Sequence, residues 1–345
     1  MVHNDDHVSA TYSFVPFPKQ RARDLEPARH DVAFAQGRVS GEIRAVLFAL
    51  TPIHIGSGRE RLRSDSDPPI VKGAMRSWVR NPPSQDQSAR AGVNRLIIPG
   101  MSIKGAVRSV FEAITGSCVC ISKANDVDRA CMSRDRQRDL CPACRVFGAM
   151  GYQGNLHFSD AIPARDKETG KAQVTVRVAA LPHMWPPVAA SKRYNPIQGR
   201  KFYRHGRLRT GPVPVEVAEK GSRFDVRIGF EELTEPELGC LLLALGARRP
   251  STGSRVIFKL GGMKCVCCGS AQFIEIGARL WSRQDWLTFD RPAQAMARQD
   301  YERYLTEADK LLSDGGAQFE RLAEIMDFPR DLNQLELCGY EEETP

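Results

Sequence analysis

Apolar and polar residues alternate with a period of two from Ser222 to Glu231, where Phe224, Val226, Ile228 and Phe230 are interleaved with Arg223, Asp225, Arg227 and Gly229. This predicts a strand with one face in a core. Ile43, Val46, Leu47 and Leu50 predict another over 42–50, after which Thr51 to Gly58 turns into a loop. Helical spacing takes over at Ser102, a candidate N-cap. Ile103, Val107, Val110, Phe111 and Ile114 share one side of a helix over 102–115, leaving Lys104, Arg108 and Glu112 on the other. Shorter strands are predicted over 155–161 and 171–180. Thr234-Glu235-Pro236-Glu237 reads as a capping box ahead of a helix over 238–245 that stops at Gly246. Two short strands flank Gly261–Gly269, and an acidic segment over 292–326 reads as helix.

The order strand, helix, insert, strands, excursion, strand, helix, strand suits an α+β, ferredoxin-like sheet. Around it, residues 1–40 read as an irregular arm docked through Tyr12 and Phe14. Arg59 to Arg95 lacks periodicity and reads as a long functional loop. A domain over 1–284, with an insertion at 116–148 and a long basic excursion at 181–213, is followed by a helical extension over 285–345. No period of 20 to 50 residues is visible, so any repetition has to come from assembling several copies.

Charge separates these parts. The chain carries a net charge of +8, but residues 299–345 hold 13 acidic against 4 basic side chains, leaving residues 1–298 with 45 basic and 28 acidic. A body this basic favours a polyanionic partner. No run of about 18 apolar residues spans a membrane, and His3, Asp5, Asp6 and His7 do not begin a signal peptide. A soluble, cytoplasmic protein without a membrane partner is therefore expected.

In a reducing compartment ten cysteines are poor material for a disulfide framework, and five of them fall between Cys118 and Cys144. Cys141-Pro142-Ala143-Cys144 is a two-residue-spaced pair able to grip one ion. With Cys131 and one of Cys118 or Cys120, Cys118 being preferred, it completes a tetrahedral, structural zinc site. Cys265, Cys267 and Cys268 make a weaker candidate for a second site. His157 reads as structural, and His54 as packing beneath the first loop.

Three stretches suit RNA. Lys104 and Arg108, one turn apart at the start of a helix, form a candidate phosphate seat. Between Thr169 and Val215 there is no acidic residue, while Lys192, Arg193, Arg200, Lys201 and Arg204 are interleaved with Trp185, Tyr194, Phe202 and Tyr203. Cations for phosphates beside rings for unpaired bases are the means of single-strand binding. Lys264, in a loop flanked by Gly261, Gly262 and Gly269, can approach a phosphate closely.

The ordered series Leu50–Gly58, Ile98-Pro99-Gly100-Met101-Ser102-Ile103-Lys104-Gly105-Ala106-Val107-Arg108, Cys141–Gly148 and Phe158-Ser159-Asp160-Ala161 resembles the RAMP superfamily of CRISPR-associated proteins. It is most similar to the repeating backbone subunits of type III and related effectors. The resemblance covers roughly residues 10–280. It implies an RRM-like palm and a thumb, several copies threaded along one guide RNA (crRNA), complementary target RNA paired to it, and other effector subunits as partners.

In such subunits an Asp in the loop after the first strand cleaves target RNA. Here Asp67-Pro68-Pro69-Ile70-Val71 matches best, with Pro68 where the family has Ser and Asp65 as a nearby rival. The resemblance implies that Asp67 orients or helps to deprotonate a ribose 2′-hydroxyl, with Mg or Mn screening the phosphate. A non-catalytic scaffold serving a separate nuclease and a stand-alone zinc-containing RNA-binding protein are the alternative readings.

Overall fold

The period-two segment around Phe224 forms the strand Arg223–Leu233 and pairs antiparallel along nearly its whole length with Val39–Ala49. The computed structural model describes residues 12–19, 25, 35–64, 69–79, 93–118, 131, 140–182, 199–283, 285 and 294–328. In chain order its elements begin with β1 (Tyr12–Val15), β2 (Val39–Ala49), β3 (Gly56–Leu62), β4 (Ile70–Ala74), β5 (Arg76–Val79), β6 (Val93–Leu96) and α1 (Gly100–Ile114). Then come α2 (Pro142–Phe147), β7 (Gly148–Ala149), β8 (Tyr152–Gln153), β9 (Leu156–Phe158), β10 (Ile162–Pro163), β11 (Val176–Leu181), β12 (Arg200–Tyr203), β13 (Val213–Ala218) and β14 (Arg223–Leu233). The chain continues with α3 (Glu235–Ala244), β15 (Phe258–Lys259), β16 (Ser270–Leu280), β17 (Gln294–Ala295), α4 (Arg298–Glu307) and α5 (Ala317–Ile325).

The protein is α+β. In the main sheet β16, β2 and β14 lie side by side and antiparallel, with β9 and β10 both pairing the far edge of β14. With α1 and α3 as the crossovers, the order in space is fourth, first, third, second, which is consistent with the split β-α-β plan of a ferredoxin-like sheet. One face carries Ile43, Ala45 and Leu47 of β2 with Phe224, Val226, Ile228 and Phe230 of β14, all buried in one cluster with α1 and α3. A smaller sheet, β11-β13-β4-β3, carries a second core of Leu181, Val213, Val215, Met263, Val266 and Cys268.

Burial explains the helices. Ile103, Val107, Val110, Phe111 and Ile114 of α1 are buried, and each such side chain contributes about 1.5–3 kcal/mol, against about 1 kcal/mol for a cap. The apolar stripe therefore dominates its stability. In α3 the capping box of Thr234 and Glu237 is present. That helix is buried all round because α4 and the turn after it cover its second side. A Cβ on Gly239 would strike the Tyr304 carbonyl oxygen, and the Cys240 thiol donates to the Ala308 carbonyl at 3.6 Å. Tyr304, Leu305, Leu312, Phe319 and Leu322 thus belong to the same buried cluster as the sheet.

Several expectations need correction. α1 starts at Gly100, and Ser102 is inside it, not its N-cap. The unpatterned stretch after residue 58 contains two hairpins, β3–β4 and β5–β6. Strand β3 carries no periodic signal because Arg59, Glu60 and Leu62 are all exposed and no buried face imposes alternation, and β4 buries only Val71, Gly73 and Ala74, too short a run to set a period. The arm contains strand β1, paired with β12. Of the strand predicted over 155–161 only Leu156–Phe158 (β9) is strand, and β10 begins beyond it at Ile162.

Candidate metal knuckle and RNA interface

The insert after α1 is organised by sulfur. Cys141 is the N-cap of α2, Pro142 occupies its first turn, and the Cys141 sulfur accepts from the Cys144 amide at 3.4 Å. This turn faces both thiols to one point. Cys118 Sγ lies 3.5 Å from Cys141 Sγ and 3.6 Å from Cys144 Sγ, while Cys131 Sγ accepts from the Cys141 amide at 3.4 Å. All four sulfurs lie within 4.8 Å of one another. Zinc–thiolate bonds of about 2.3 Å in a tetrahedron put sulfurs roughly 3.8 Å apart, so the cluster fits a metal ion such as zinc. Hydrogen bonding with the Cys118 thiol, above all, holds Cys141 far below the ordinary thiol range, which favours the thiolate a metal needs.

The set is the one named above, with Cys118; Cys120 lies outside the described residues. Among the described residues no second cluster of three or more metal-ligating side chains exists. Cys265 and Cys268 take part in no disulfide, whereas Cys267 is disulfide-bonded.

The knuckle is bolted to the body by charged side chains. Arg145 of α2 pairs with Glu237, the carboxylate of the α3 capping box, with both side chains buried. Arg108 donates to Glu112 at 2.7 Å, to the Gly148 carbonyl at 2.9 Å and to Cys144 Sγ at 3.7 Å. Arg200 donates to the other oxygen of Glu112 at 2.9 Å and to the carbonyls of Ser117 and Cys118 at 3.1 and 2.7 Å. Two residues named as RNA candidates, Arg108 and Arg200, therefore make these bonds within the knuckle.

Pro99-Gly100 and Phe158-Ser159-Asp160-Ala161 form one joint. The Gly100 amide donates to Asp160 Oδ1 at 2.8 Å, and Ile98 and Ala161 exchange backbone hydrogen bonds. A Cβ on Gly100 would overlap the carbonyl oxygens of Phe158 and Ser159, which explains glycine there. The protein's own carboxylate thus occupies the first amide of α1. Lys104 donates to the Leu156 carbonyl at 3.1 Å, and burial lowers its pKa.

Thr51–His54 and the glycine-flanked loop form a second joint. Gly262 and Gly269 donate to the carbonyls of His54 and Pro52, and Thr51 Oγ1 donates to the Cys267 carbonyl at 3.1 Å. Gly261 and Gly269 have φ of +86° and +81°, and a Cβ on either would strike a carbonyl oxygen. Lys264 opens a short 3₁₀ turn between two left-handed residues, Met263 and Cys267. Burial lowers its pKa. Lys259, not anticipated, is 5 % exposed, donates to the Lys264 carbonyl, and is pushed by burial to about 7.

Sequence reading also missed Glu216. It ends the acid-free stretch, a signal that could have found it, and is 1 % exposed. It accepts from the Ala74 amide at 3.0 Å, from Arg76 at 2.5 Å and from Arg63 at 3.4 Å, with Arg61 at 3.9 Å. Burial opposes its charge, but Arg76, the Ala74 amide and the Arg61 charge prevail and lower its pKa. The His54 ring shares a 2.8 Å hydrogen bond with its carbonyl, and burial lowers the imidazole pKa. Glu216 thereby fixes both limbs of the β3–β4 hairpin that flanks residues 65–68. Asp67 itself, like Lys192 and Arg193, lies outside the described residues.

Lys201 lies over the rings of Tyr12, at 3.9 Å, and Tyr203, at 4.8 Å, and Arg204 donates to Ser13 Oγ at 2.9 Å. No described helix is long and apolar enough to cross a membrane. The family model for the RAMP superfamily matches residues 47–251. No curated protein matches the chain.

Proposed function

The chain belongs to the RAMP superfamily of CRISPR-associated proteins, and from that premise we propose that it is a crRNA-binding backbone subunit of an RNA-guided effector. The match over residues 47–251 carries this reading. It spans the whole of the first joint, the Thr51–His54 half of the second, the four-cysteine knuckle and the acid-free basic stretch. The ferredoxin-like sheet serves as an RRM-like palm. Zinc at Cys118, Cys131, Cys141 and Cys144 staples a segment that has little core of its own. Lys264, Lys201, Arg204 and Lys104 line the guide, with Lys192 and Arg193 extending the contact along the thumb.

Asp67 is the candidate for target cleavage. Glu216 supports this by anchoring both strands beside its loop through Arg61, Arg63, Arg76 and Ala74. A carboxylate held there orients a 2′-hydroxyl for in-line attack, and Mg or Mn would screen the phosphate. Further copies along the guide and other effector subunits complete the assembly, in a cytoplasmic setting.

The test is Asp67→Ala in the assembled complex with guide and complementary target. Loss of cutting, with target still bound and protected at regular intervals, supports the cleaving subunit. Cutting at the same positions and rate assigns cleavage to a separate nuclease and leaves a scaffold. A chain that gives no periodic protection of RNA is a stand-alone RNA-binding protein.

A further inference from the structure

β12 has two faces with different employment. Residues directly opposite in an antiparallel pair share a face, so Arg200 and Phe202 lie with Val15 and Ser13, while Lys201 and Tyr203 lie with Phe14 and Tyr12. The first face turns inward. Val15 and Phe202 are in the main core, and Arg200 bridges Glu112 to the carbonyls of Ser117 and of the metal-ligating residue Cys118. The second face is half-exposed and carries three rings and a cation. The Tyr12 ring meets those of Phe14 at 5.7 Å and Tyr203 at 6.4 Å, edge to face, with the Lys201 ammonium over both tyrosines.

We infer that the β1–β12 ribbon is a stacking platform for an unpaired nucleobase and its phosphate, and that the metal knuckle holds it in place through Arg200. This rests on the RNA-binding reading above. Rings with a cation among them suit a base with a phosphate attached, since every base has a π-face and every linkage a negative charge. Burial lowers the Lys201 pKa, and the nearby Cys265 thiol acts in the opposite direction.

The knuckle is the fixed end. Four thiolates on a divalent ion leave a net charge of −2, which Arg108 meets directly at Cys144 Sγ. Glu112 accepts from Arg108 and Arg200 alike, so loading the ion fixes α1, the Cys118 carbonyl and the first residue of β12 together. Arg200 is a positioning residue. Its part is to hold Lys201 and Tyr203 and not to touch RNA.

The experiment compares the full-length chain with Arg200→Gln and Tyr203→Leu, using a labelled single-stranded oligouridylate over a range of salt, metal content per chain, and amide hydrogen exchange. Tyr203→Leu is expected to weaken binding roughly tenfold with the salt dependence unchanged, because a stack and not a phosphate contact is lost. Arg200→Gln is expected to retain the metal, weaken binding by a similar factor with the same salt dependence, and expose residues 12–15 and 200–203 to exchange while 235–244 stays protected. Chelation of the wild type should expose the same two strands.

A salt slope shallower by about 0.7 in Arg200→Gln, with the ribbon still protected, would make Arg200 a phosphate ligand and overturn the positioning role. Unchanged affinity in Tyr203→Leu would overturn the platform. A wild-type chain that binds no RNA overturns the RNA reading and the platform with it, whereas exchange that is indifferent to chelation overturns the coupling alone.

Discussion

The knuckle and the β3–β4 hairpin lie on either side of α1 in the chain, and they are closed by opposite means. In the knuckle four sulfurs drawn from residues 118–144 meet at one point. In the hairpin three arginines converge on a single carboxylate, and Glu216 lies 140 residues along the chain from Arg76. A metal closure carries its own ligands and needs only a short loop. A carboxylate closure borrows its partner from a distant strand, so it exists only once the sheet has formed. Local segments with little apolar content of their own can be fixed either way.

The comparison breaks most visibly if the metal is removed. Cys144→Ser should abolish stoichiometric zinc and lower the unfolding temperature by about 10 °C or more, measured by calorimetry with metal analysis. Retention of zinc and thermal stability would show that the sulfurs pack as an ordinary core.

At the hairpin, Glu216→Ala leaves Arg61, Arg63 and Arg76 without the carboxylate they share. A loss of about 3 kcal/mol in denaturant unfolding is expected, with faster exchange over 56–62 and 70–76. Glu216→Gln, of the same shape, should recover part of the Ala74 amide bond and little of the rest.

Lys259 sharpens the contrast, because it is a buried charge with thiols and Lys264 around it in place of a counter-ion. Its folded pKa, about 7, lies below the ordinary 10.5. Between those values the unfolded chain binds the extra proton, so the stability of the wild type rises as pH rises from about 7 towards 10. Lys259→Met should therefore stabilise by up to about 5 kcal/mol at neutral pH and below, and the gain should shrink as the medium becomes alkaline. A pH-independent difference would mean that the ammonium is solvated.

The smallest effect expected is at α1. Asp160→Ala removes the acceptor for the Gly100 amide and should cost about 1 kcal/mol, seen in exchange at the first turn, whereas Ser102→Ala should be nearly neutral. The reverse order would restore Ser102 as the cap.

These regions also show what sequence reading can reach. The strands around Ile43 and Phe224, the stripe of α1 and the α3 capping box announce themselves through burial and local hydrogen bonds, whose period and spacing are written in adjacent residues. The four cysteines do so because their spacing is itself the geometry. Strand β3 has no buried face to impose alternation, and the buried positions of β4, Val71, Gly73 and Ala74, are too few to set a period. The cap on α1 comes from Asp160, sixty residues away, so the nearer Ser102 drew the assignment. Arg108 and Arg200 read as free cations because composition registers charge and not the Glu112 carboxylate that takes both.

The most direct test of the central claim is native purification of the chain from a host that makes its guide RNA and partner proteins, followed by sequencing of the RNA that comes with it. Uniform guides with repeat-derived ends, present together with several copies of the chain, are predicted. Heterogeneous RNA, or none, would contradict a backbone subunit and leave a zinc-containing RNA-binding protein that acts without a guide.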